Sequence, residues 1–246
     1  MRLAIITDIH EDIDNLKRIM RKIDKKGCDK LVCLGDISGY SLPFYKYGKT
    51  RSATECLSLV RERCQIIIPG NHDLHAARRI PGHSKVFDFP HNWYDLDLEH
   101  RRELAADELW LHEDDMDHGF SSEDLHFLYG LPEYEILETA NVNILLSHYA
   151  SPNLSGFRKK FYTWAREFSG HFNLMEKHNC QLSFIGHAHP RGFFEVTENR
   201  FRHMAYRKRK MTKFPAIIGC PPVTRHQYRS GFCIFDSDPL VIKAYR

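Results

Sequence analysis

The sequence predicts an α/β fold, a four-layer α/β/β/α sandwich in which two mixed β-sheets pack face to face and helices flank them. Two observations lead to this fold class. Residues 1–75 alternate apolar strand patterns with helix patterns, which implies right-handed crossovers and parallel pairing. Residues after about 190 show strand patterns joined by short, turn-rich connections, which is typical of antiparallel or mixed sheets.

The N-terminal elements follow from hydrophobic periodicity. A helix is predicted from Asp12 to about Lys25, since its apolar residues recur at helical spacing and Asp12 can cap its start. A second helix, Ser52–Arg63, begins with Ser52 as its cap and Glu55 three residues on. Short apolar runs predict strands at Arg2–Thr7, Lys30–Leu34 and Gln65–Pro69.

Residues 83–131 are predicted to form a helical insertion within a single domain of residues 1–246. The stretch is polar, aromatic-rich and helix-prone, with few strand signals. Its one clear capping segment, Ser121–Asp124, predicts a short helix that ends before Pro132. We therefore expect a cap over the functional site and not a separate domain.

The second half of the chain is predicted as strands around one helix, Phe161–His178, with an interruption near Gly170. The predicted strands are Tyr134–Glu138, Val142–Leu146, Gln181–Ile185, Gly192–Thr197, Phe201–Arg207, Phe214–Ile218, Gly231–Phe235 and Val241–Tyr245. The basic run Arg207–Lys210 reads as a solvated hairpin tip between strands.

Composition excludes several classes of protein. The 246 residues are 42% hydrophobic and 27% charged, as in an ordinary globular domain, and the net charge of +3 disfavours nucleic-acid binding. No apolar run approaches the roughly 20 residues of a membrane span. The 7 cysteines are scattered and never spaced C-x-x-C, so we expect reduced thiols in a cytoplasmic protein and no zinc finger.

Five clusters of carboxylate, amide and imidazole side chains each follow a predicted strand. They are Asp8-Ile9-His10, Gly35-Asp36, Gly70-Asn71-His72-Asp73, Ser147-His148 and Gly186-His187-Ala188-His189. Each alone is explained as a turn or a cap. Together they place oxygen and nitrogen ligands at the carboxyl ends of strands, the edge at which open α/β sheets bind ligands. The order therefore predicts a site for two metal ions.

These clusters resemble the calcineurin-like metallophosphoesterase family. The segments Asp36–Tyr40 and Ser122–Pro132, with the layout after His189, are similar to its small bacterial and archaeal phosphodiesterase branch. The resemblance runs from about Leu3 to Phe235 and is weakest over residues 83–118. It implies a metal-dependent phosphoric ester hydrolase that acts on a small phosphoester, most often a diester, with a metal-bridging hydroxide as nucleophile.

The resemblance also implies seven metal ligands and two catalytic residues. Asp36 would bridge two divalent ions, one held by Asp8, His10 and His189 and the other by Asn71, His148 and His187. Such mixed ligands suit Mn²⁺ first, and also Fe, Zn²⁺, Co²⁺ or Ni²⁺, better than Ca²⁺. His72 would protonate the leaving alkoxide, and Asp73 would orient His72.

Three positions depart from the family pattern. Glu11 and Tyr149 stand where glycine is frequent, and Ile218–Pro221 replaces a frequent Asn-Pro-Gly-Ser. None of them removes a ligand, although Tyr149 could narrow the pocket. Seven further histidines lie in or before the insertion, and we expect surface and packing roles for them in preference to a phosphate-binding lid. These are His75, His83, His91, His100, His112, His118 and His126.

Alternatives to a phosphodiesterase remain at this point. One is another phosphoester specificity: a phosphomonoesterase, a protein phosphatase or a nucleotide-polyphosphate hydrolase. A second is a non-enzymatic interaction module on the same fold, which the complete ligand set and His72 disfavour. A third is a nuclease, which the modest charge disfavours. The oligomeric state is left open.

Overall fold

The protein is described here by a computed structural model, which covers residues 1–83, 85–225 and 230–246. Its strands are β1 Arg2–Ile6, β2 Lys30–Cys33, β3 Ile66–Ile67, β4 Tyr134–Glu138, β5 Asn143–Ser147, β6 Leu182–Ile185, β7 Phe193–Thr197, β8 Arg200–Met204, β9 Lys208–Lys210, β10 Ala216–Gly219, β11 Phe232–Asp236 and β12 Val241–Tyr245. Its α-helices are α1 Ile13–Asp24, α2 Ala53–Arg63, α3 Asn71–Ala76, α4 Leu98–Ala105, α5 Ser122–Gly130 and α6 Ser169–Lys177.

The strands form two mixed six-stranded sheets, and this confirms the predicted fold class. The first sheet has the order β3-β2-β1-β11-β12-β9, with β1, β2 and β3 parallel to one another. The second has the order β4-β5-β6-β10-β7-β8, with β5, β6 and β10 parallel. In each sheet the antiparallel strands come mostly from the C-terminal part of the chain, as its short connections predict.

Alternating side chains of β1 explain the layering. Leu3 and Ile5 belong to a buried cluster that also holds residues of the second sheet, such as Phe184. Ala4 and Ile6 belong instead to a cluster with α1 and α2. Since successive side chains of a strand point to opposite faces, one face of the sheet packs on the other sheet and the opposite face packs on helices.

Helix caps lie where the sequence predicts them. Asp12 accepts a hydrogen bond from the Asn15 amide at the start of α1, and Ser52 accepts one from the Glu55 amide at the start of α2. Ser121 and Asp124 form a reciprocal capping box at α5. Within the described part of the chain, no helix is long and apolar enough to cross a membrane.

Two element predictions are corrected by the structure. The basic run is not a hairpin tip, because Lys208–Lys210 pairs antiparallel with β12 as an edge strand. Lysines and arginines are common on such edges, where charge opposes pairing with other chains. The predicted helix Phe161–His178 begins only with a 3₁₀ turn at Ala165–Phe168 and continues as α6, which contains Gly170 without interruption.

The long α3–β4 connection contains the predicted insertion. Its regular parts are a 3₁₀ turn at Trp93–Asp95, α4 and α5. The rest is irregular, and isolated backbone bridges tie it to the body of the protein at Ser41–Asp115 and Leu109–Arg158. Around Trp93 it has a small apolar cluster of its own.

Candidate metal centre

All seven predicted metal ligands lie at one edge of the sandwich. Asp8 and His10 follow β1, Asp36 follows β2, and Asn71 begins α3 just after β3. His148 follows β5 in the second sheet, and His187 and His189 follow β6. Parallel strands end at the same edge of their sheet, which is why clusters distant in sequence meet.

Asp8, His10 and His189 form the first group. The Nε2 atom of His189 lies 3.2 Å from Oδ1 of Asp8 and 3.2 Å from Nε2 of His10. One ligand atom from each of the three residues falls within 4.8 Å of the others. The group thus joins one carboxylate and two imidazoles around a common point.

Asp36 lies between the two halves of the site. Its Oδ2 atom is 3.8 Å from Nε2 of His10 and 3.2 Å from Nε2 of His148. It also forms a group within 4.8 Å with His148 and His187. A carboxylate in this position can contact both ions of a metal pair.

Asn71 completes the second group and shows how well these donors suit a metal ion. Oδ1 of Asn71 and Nε2 of His187 are buried and make no hydrogen bond to any described residue. A Cβ atom added at Gly156 would lie 3.0 Å from that Asn71 oxygen and 2.6 Å from Nδ1 of His187, so both side chains border one space. An unsatisfied buried acceptor costs about 1–3 kcal/mol, and a bound cation would offset that cost.

Backbone carbonyls orient two of the imidazoles. Nδ1 of His10 donates to the Gly39 carbonyl at 2.9 Å, and Nδ1 of His148 donates to the Leu34 carbonyl at 2.6 Å. Each bond fixes the tautomer that leaves Nε2 with a lone pair facing the site. Both rings are therefore oriented with Nε2 toward the site.

Burial and charge set the protonation states. Burial opposes the charge of Asp36, but the nearby imidazoles of His148 and His72 outweigh it and hold the pKa of Asp36 well below its usual range. Burial lowers the pKa of His10 to about 3 and that of His187 to about 3. Metal binding requires ionised carboxylates and neutral imidazoles, and Asp36, His10 and His187 are in these states. Burial opposes a charge on His148, but Asp36 outweighs it and raises the pKa of His148 to about 9, so a bound metal would have to displace a proton from this ring.

Two glycines permit the close approach of strand ends. A Cβ atom at Gly70 would lie 2.0 Å from Oδ1 of Asp36, and one at Gly186 would lie 1.9 Å from Oγ1 of Thr7. A side chain at residue 70 would therefore displace Asp36, and one at residue 186 would displace Thr7 and crowd Oδ2 of Asp8, 2.9 Å away.

His72 lies beside the metal ligands. Its backbone amide donates to Oδ1 of Asp36 at 3.0 Å, and its ring lies 4.9 Å from that of His10, edge to face. Nδ1 of the ring donates to Oδ2 of Asp115 at 2.5 Å. Burial disfavours a charge on His72, but Asp115 and Asp36 outweigh it and raise the pKa of His72 to about 10.

The predicted contact between Asp73 and His72 is corrected. Both oxygens of Asp73 accept hydrogen bonds from the backbone of Ile37, and the carboxylate also takes bonds from Ser38 and the Gly70 amide. Asp73 therefore holds the loop that carries Asp36. The carboxylate that contacts the His72 ring is Asp115.

Sequence reasoning missed two residues of the site, Asp115 and His112, both in the α3–β4 connection. His112 has the expected packing role, since its side chain is 2% exposed and its ring packs against those of His72 and Phe157. It also has a polar contact that was not expected, because its Nε2 lies 3.5 Å from Nδ2 of Asn71. Neither residue follows a strand, so the pattern that identifies the other site residues could not identify them.

The two residues that stand where the family frequently has glycine, Glu11 and Tyr149, have structural roles. Glu11 is buried, and its Oε1 atom accepts hydrogen bonds from the Gly39 and Tyr40 amides, which holds the loop after β2. Tyr149 is buried as well, and its ring packs 4.7 Å from that of His187. Tyr149 thus supports a ligand from behind.

A cavity of about 990 Å³ opens over the site. Residues of both the strand ends and the α3–β4 connection line it, among them His72, Asp115, Phe44 and Phe161. It is large enough for a small organic ligand.

Two mixed sheets flanked by helices, with carboxylates and imidazoles gathered at the strand ends, are the architecture of the metallophosphoesterases. The sequence pattern of the family described as "Calcineurin-like phosphoesterase" matches residues 1–191, a range that contains all nine predicted site residues. The chain belongs to the calcineurin-like phosphoesterase family.

Individual proteins are similar to this chain in part of the sequence or in the fold. An uncharacterized protein of Methanocaldococcus jannaschii is 34% identical over 71 residues, which are 29% of this chain and 26% of that protein; the match thus spans about a quarter of that relative. A metallophosphoesterase structure from Sphaerobacter thermophilus has a TM-score of 0.67 at 21% identity and covers 100% of this chain and 87% of its own. A hypothetical protein from Pyrococcus horikoshii has a TM-score of 0.59 at 14% identity, with the same coverage of 100% and 87%. The two structures share the fold.

Proposed function

We propose that this protein is a cytoplasmic phosphodiesterase that hydrolyses small diesters with two divalent cations, Mn²⁺ being the preferred ion. Asp8, His10 and His189 would hold one ion, Asn71, His148 and His187 the other, and Asp36 both. The bound ions supply Lewis acidity, an activated water and neutralisation of the phosphoryl charge. The free state of all seven cysteines supports a reducing compartment.

The charge of the cavity lining favours a phosphate diester over a monoester or a polyphosphate as the substrate. Among the described residues that line the cavity, Arg102 and Lys159 are the only arginine and lysine, and each is paired with a carboxylate, Glu113 and Asp107 respectively. A phosphate monoester is largely a dianion at neutral pH and a polyphosphate carries more charge, so both would gain more than a diester from free arginines or lysines beyond the metals. A diester is a monoanion and gains least from them.

Aromatic rings on two sides of the centre support the same choice. The ring of Tyr45 lies 5.0 Å from that of His10, and the ring of Phe161 lies 5.1 Å from that of His187. Phe161 is 44% exposed, and so offers an uncovered apolar face beside a metal ligand. A diester has an organic group on each side of its phosphorus, and each group would meet an aromatic wall.

His72 is the proposed proton donor to the leaving alkoxide. Because Nδ1 is bonded to Asp115, Nε2 is the nitrogen available to a substrate. The leaving oxygen develops negative charge as its bond to phosphorus breaks, and a proton from His72 would neutralise it. General acid catalysis of this kind contributes about 10²–10⁴-fold.

The experiment compares paired chromogenic diester and monoester substrates with metal-stripped protein to which Mn²⁺ is returned. We expect diester turnover that requires Mn²⁺ and is lost in Asp36→Asn. Faster monoester hydrolysis would contradict the charge argument and leave a phosphomonoesterase. No turnover of either substrate, with no metal bound, would favour a non-enzymatic interaction module.

A further inference from the structure

One short segment of the α3–β4 connection contacts two consecutive residues of the site. His112 faces the amide of Asn71, with 3.5 Å between Nε2 and Nδ2. Asp115 accepts the 2.5 Å hydrogen bond from Nδ1 of His72. The metal ligand and the proton donor at the start of α3 thus depend on the same four-residue stretch.

This segment is held from two sides by backbone contacts. The Met116 amide donates to the Tyr40 carbonyl at 2.9 Å, which ties the segment to the loop after β2. The Trp110 amide donates to the Phe157 carbonyl at 2.8 Å, which ties it to the loop after β5. His112 and Asp115 lie between these anchors, so the backbone that carries their side chains is held at both ends.

We propose that residues 112–115 act as a positioning clamp, in which His112 sets the orientation of the Asn71 amide and Asp115 sets that of the His72 ring. The inference rests on the proposed function for the roles of Asn71 and His72. It adds that the α3–β4 connection is part of the catalytic machinery and that its two contacts serve separate steps, metal binding and proton transfer.

The Asn71 contact matters because an amide has two chemically different ends. Only the oxygen can bind a metal, whereas the NH₂ group can only donate. The Nδ2 atom faces His112, which leaves the unpartnered Oδ1 atom to the metal space. Without an acceptor at residue 112, rotation of the amide would present its NH₂ group to the cation.

The His72 contact determines which nitrogen reaches the substrate. His72 and Asp115 side chains are 17% and 14% exposed, so water competes weakly for their hydrogen bond. The bond anchors Nδ1 on the side of the connection and leaves Nε2 as the reactive nitrogen. Asp115 is thus a positioning residue that acts through His72.

The test uses His112→Phe, which keeps a ring but removes the acceptor, and Asp115→Asn, which keeps the shape but removes the charge. Exposed residues of the same connection provide matched controls, His91→Phe and Asp88→Asn. Mn²⁺ binding to metal-stripped protein is measured by calorimetry, and kcat is measured on aryl and alkyl diesters that differ in leaving-group pKa.

We expect His112→Phe to weaken one of two Mn²⁺ sites by about 10–100-fold, and His112→Gln, which restores an acceptor, to recover it. Asp115→Asn should bind two Mn²⁺ normally but lose about 10–100-fold in kcat, most strongly with poor leaving groups. In a His72→Ala background Asp115→Asn should change kcat no further, because its effect passes through His72.

Two results would overturn the clamp: unchanged Mn²⁺ affinity in His112→Phe, or an Asp115→Asn loss that is independent of the leaving group and persists without His72. The thermal midpoint of each variant identifies a folding defect. If His112→Phe has such a defect, the Mn²⁺ affinity of His112→Gln tests the role of His112 in its place. If wild-type protein binds two Mn²⁺ but turns over no diester, the proposed function fails, whereas the binding measurements still test His112.

Discussion

Gly39 makes the tightest approach to the proposed proton donor, and Gly39→Ala is the sharpest test of its placement. A Cβ atom at Gly39 would lie 2.2 Å from both Cγ and Nδ1 of His72. Non-bonded carbon atoms prefer about 3.5–4.0 Å, so the ring must move by more than about 1 Å. Nδ1 of His72 also donates to Asp115, so moving the ring strains this hydrogen bond as well.

Gly39→Ala is expected to lose both stability and turnover, and the two losses can be separated. Gly39 has φ +90°, and an alanine in this left-handed region costs about 1–2 kcal/mol of stability. The displaced ring should lower kcat by about 100-fold, the usual effect of a misplacement near 1 Å. Gly27→Ala is the matched control, because Gly27 has φ +61° but nothing within 4 Å of the added atom.

The assay is kcat on an aryl diester in saturating Mn²⁺, with chemical denaturation of both variants. Both should lose similar stability, and only Gly39→Ala should lose turnover. If Gly39→Ala turned over like Gly27→Ala, either the ring would be free to move or His72 would not take part, and the reasoning would be refuted. Loss of bound Mn²⁺ in Gly39→Ala would instead assign the effect to His10, which donates to the Gly39 carbonyl.

Three further predictions concern metal binding, stability and pH. Gly156→Ala places a Cβ atom 2.6 Å from Nδ1 of His187 and should weaken one Mn²⁺ site in calorimetry, with the other intact. Glu133→Ala removes the buried partner of Arg79, 3.1 Å away, and should cost about 3 kcal/mol, since it leaves a partly buried charge unpaired. A melting curve should show this as a fall of about 6–12 °C. Burial lowers the pKa of His171 from 6.5 to about 3, so between these values the unfolded chain binds more protons and stability falls as pH falls. From pH 7 to pH 5 this costs about 2 kcal/mol, and His171→Gln should show a pH dependence smaller by that amount in denaturant titrations.

Most residues of the candidate metal centre could be predicted to lie together because they obey a local rule. Asp8, Asp36 and His148 each stand within three residues of a strand end, and strand patterns can be read from apolar runs. Parallel topology then brings the strand ends together without any long-range signal. The spacing of the seven candidate ligands is therefore largely a consequence of one sheet edge in each half of the sandwich.

The partners of His72 and Asn71 could not be predicted in the same way. Asp115 and His112 are 43 and 41 residues away from them in sequence, across an irregular connection whose path depends on tertiary docking. The assignment of Asp73 as partner failed for a simple geometric reason. Neighbouring residues on a helix point in directions about 100° apart, so Asp73 cannot share the face of His72 at the start of α3.

The candidate ligand residues can be interpreted as turn formers or as metal ligands. The backbone at the strand ends shows that the two interpretations are compatible. Five of the seven have positive φ, from 45° at His189 to 62° at His187. Asp and His tolerate this left-handed conformation better than most residues. The loops after β1 and β2 also bond to each other, since the Ile9 and His10 amides both donate to the Asp36 carbonyl. Residue types that tolerate this backbone at the strand ends are thus also those that can supply ligands there.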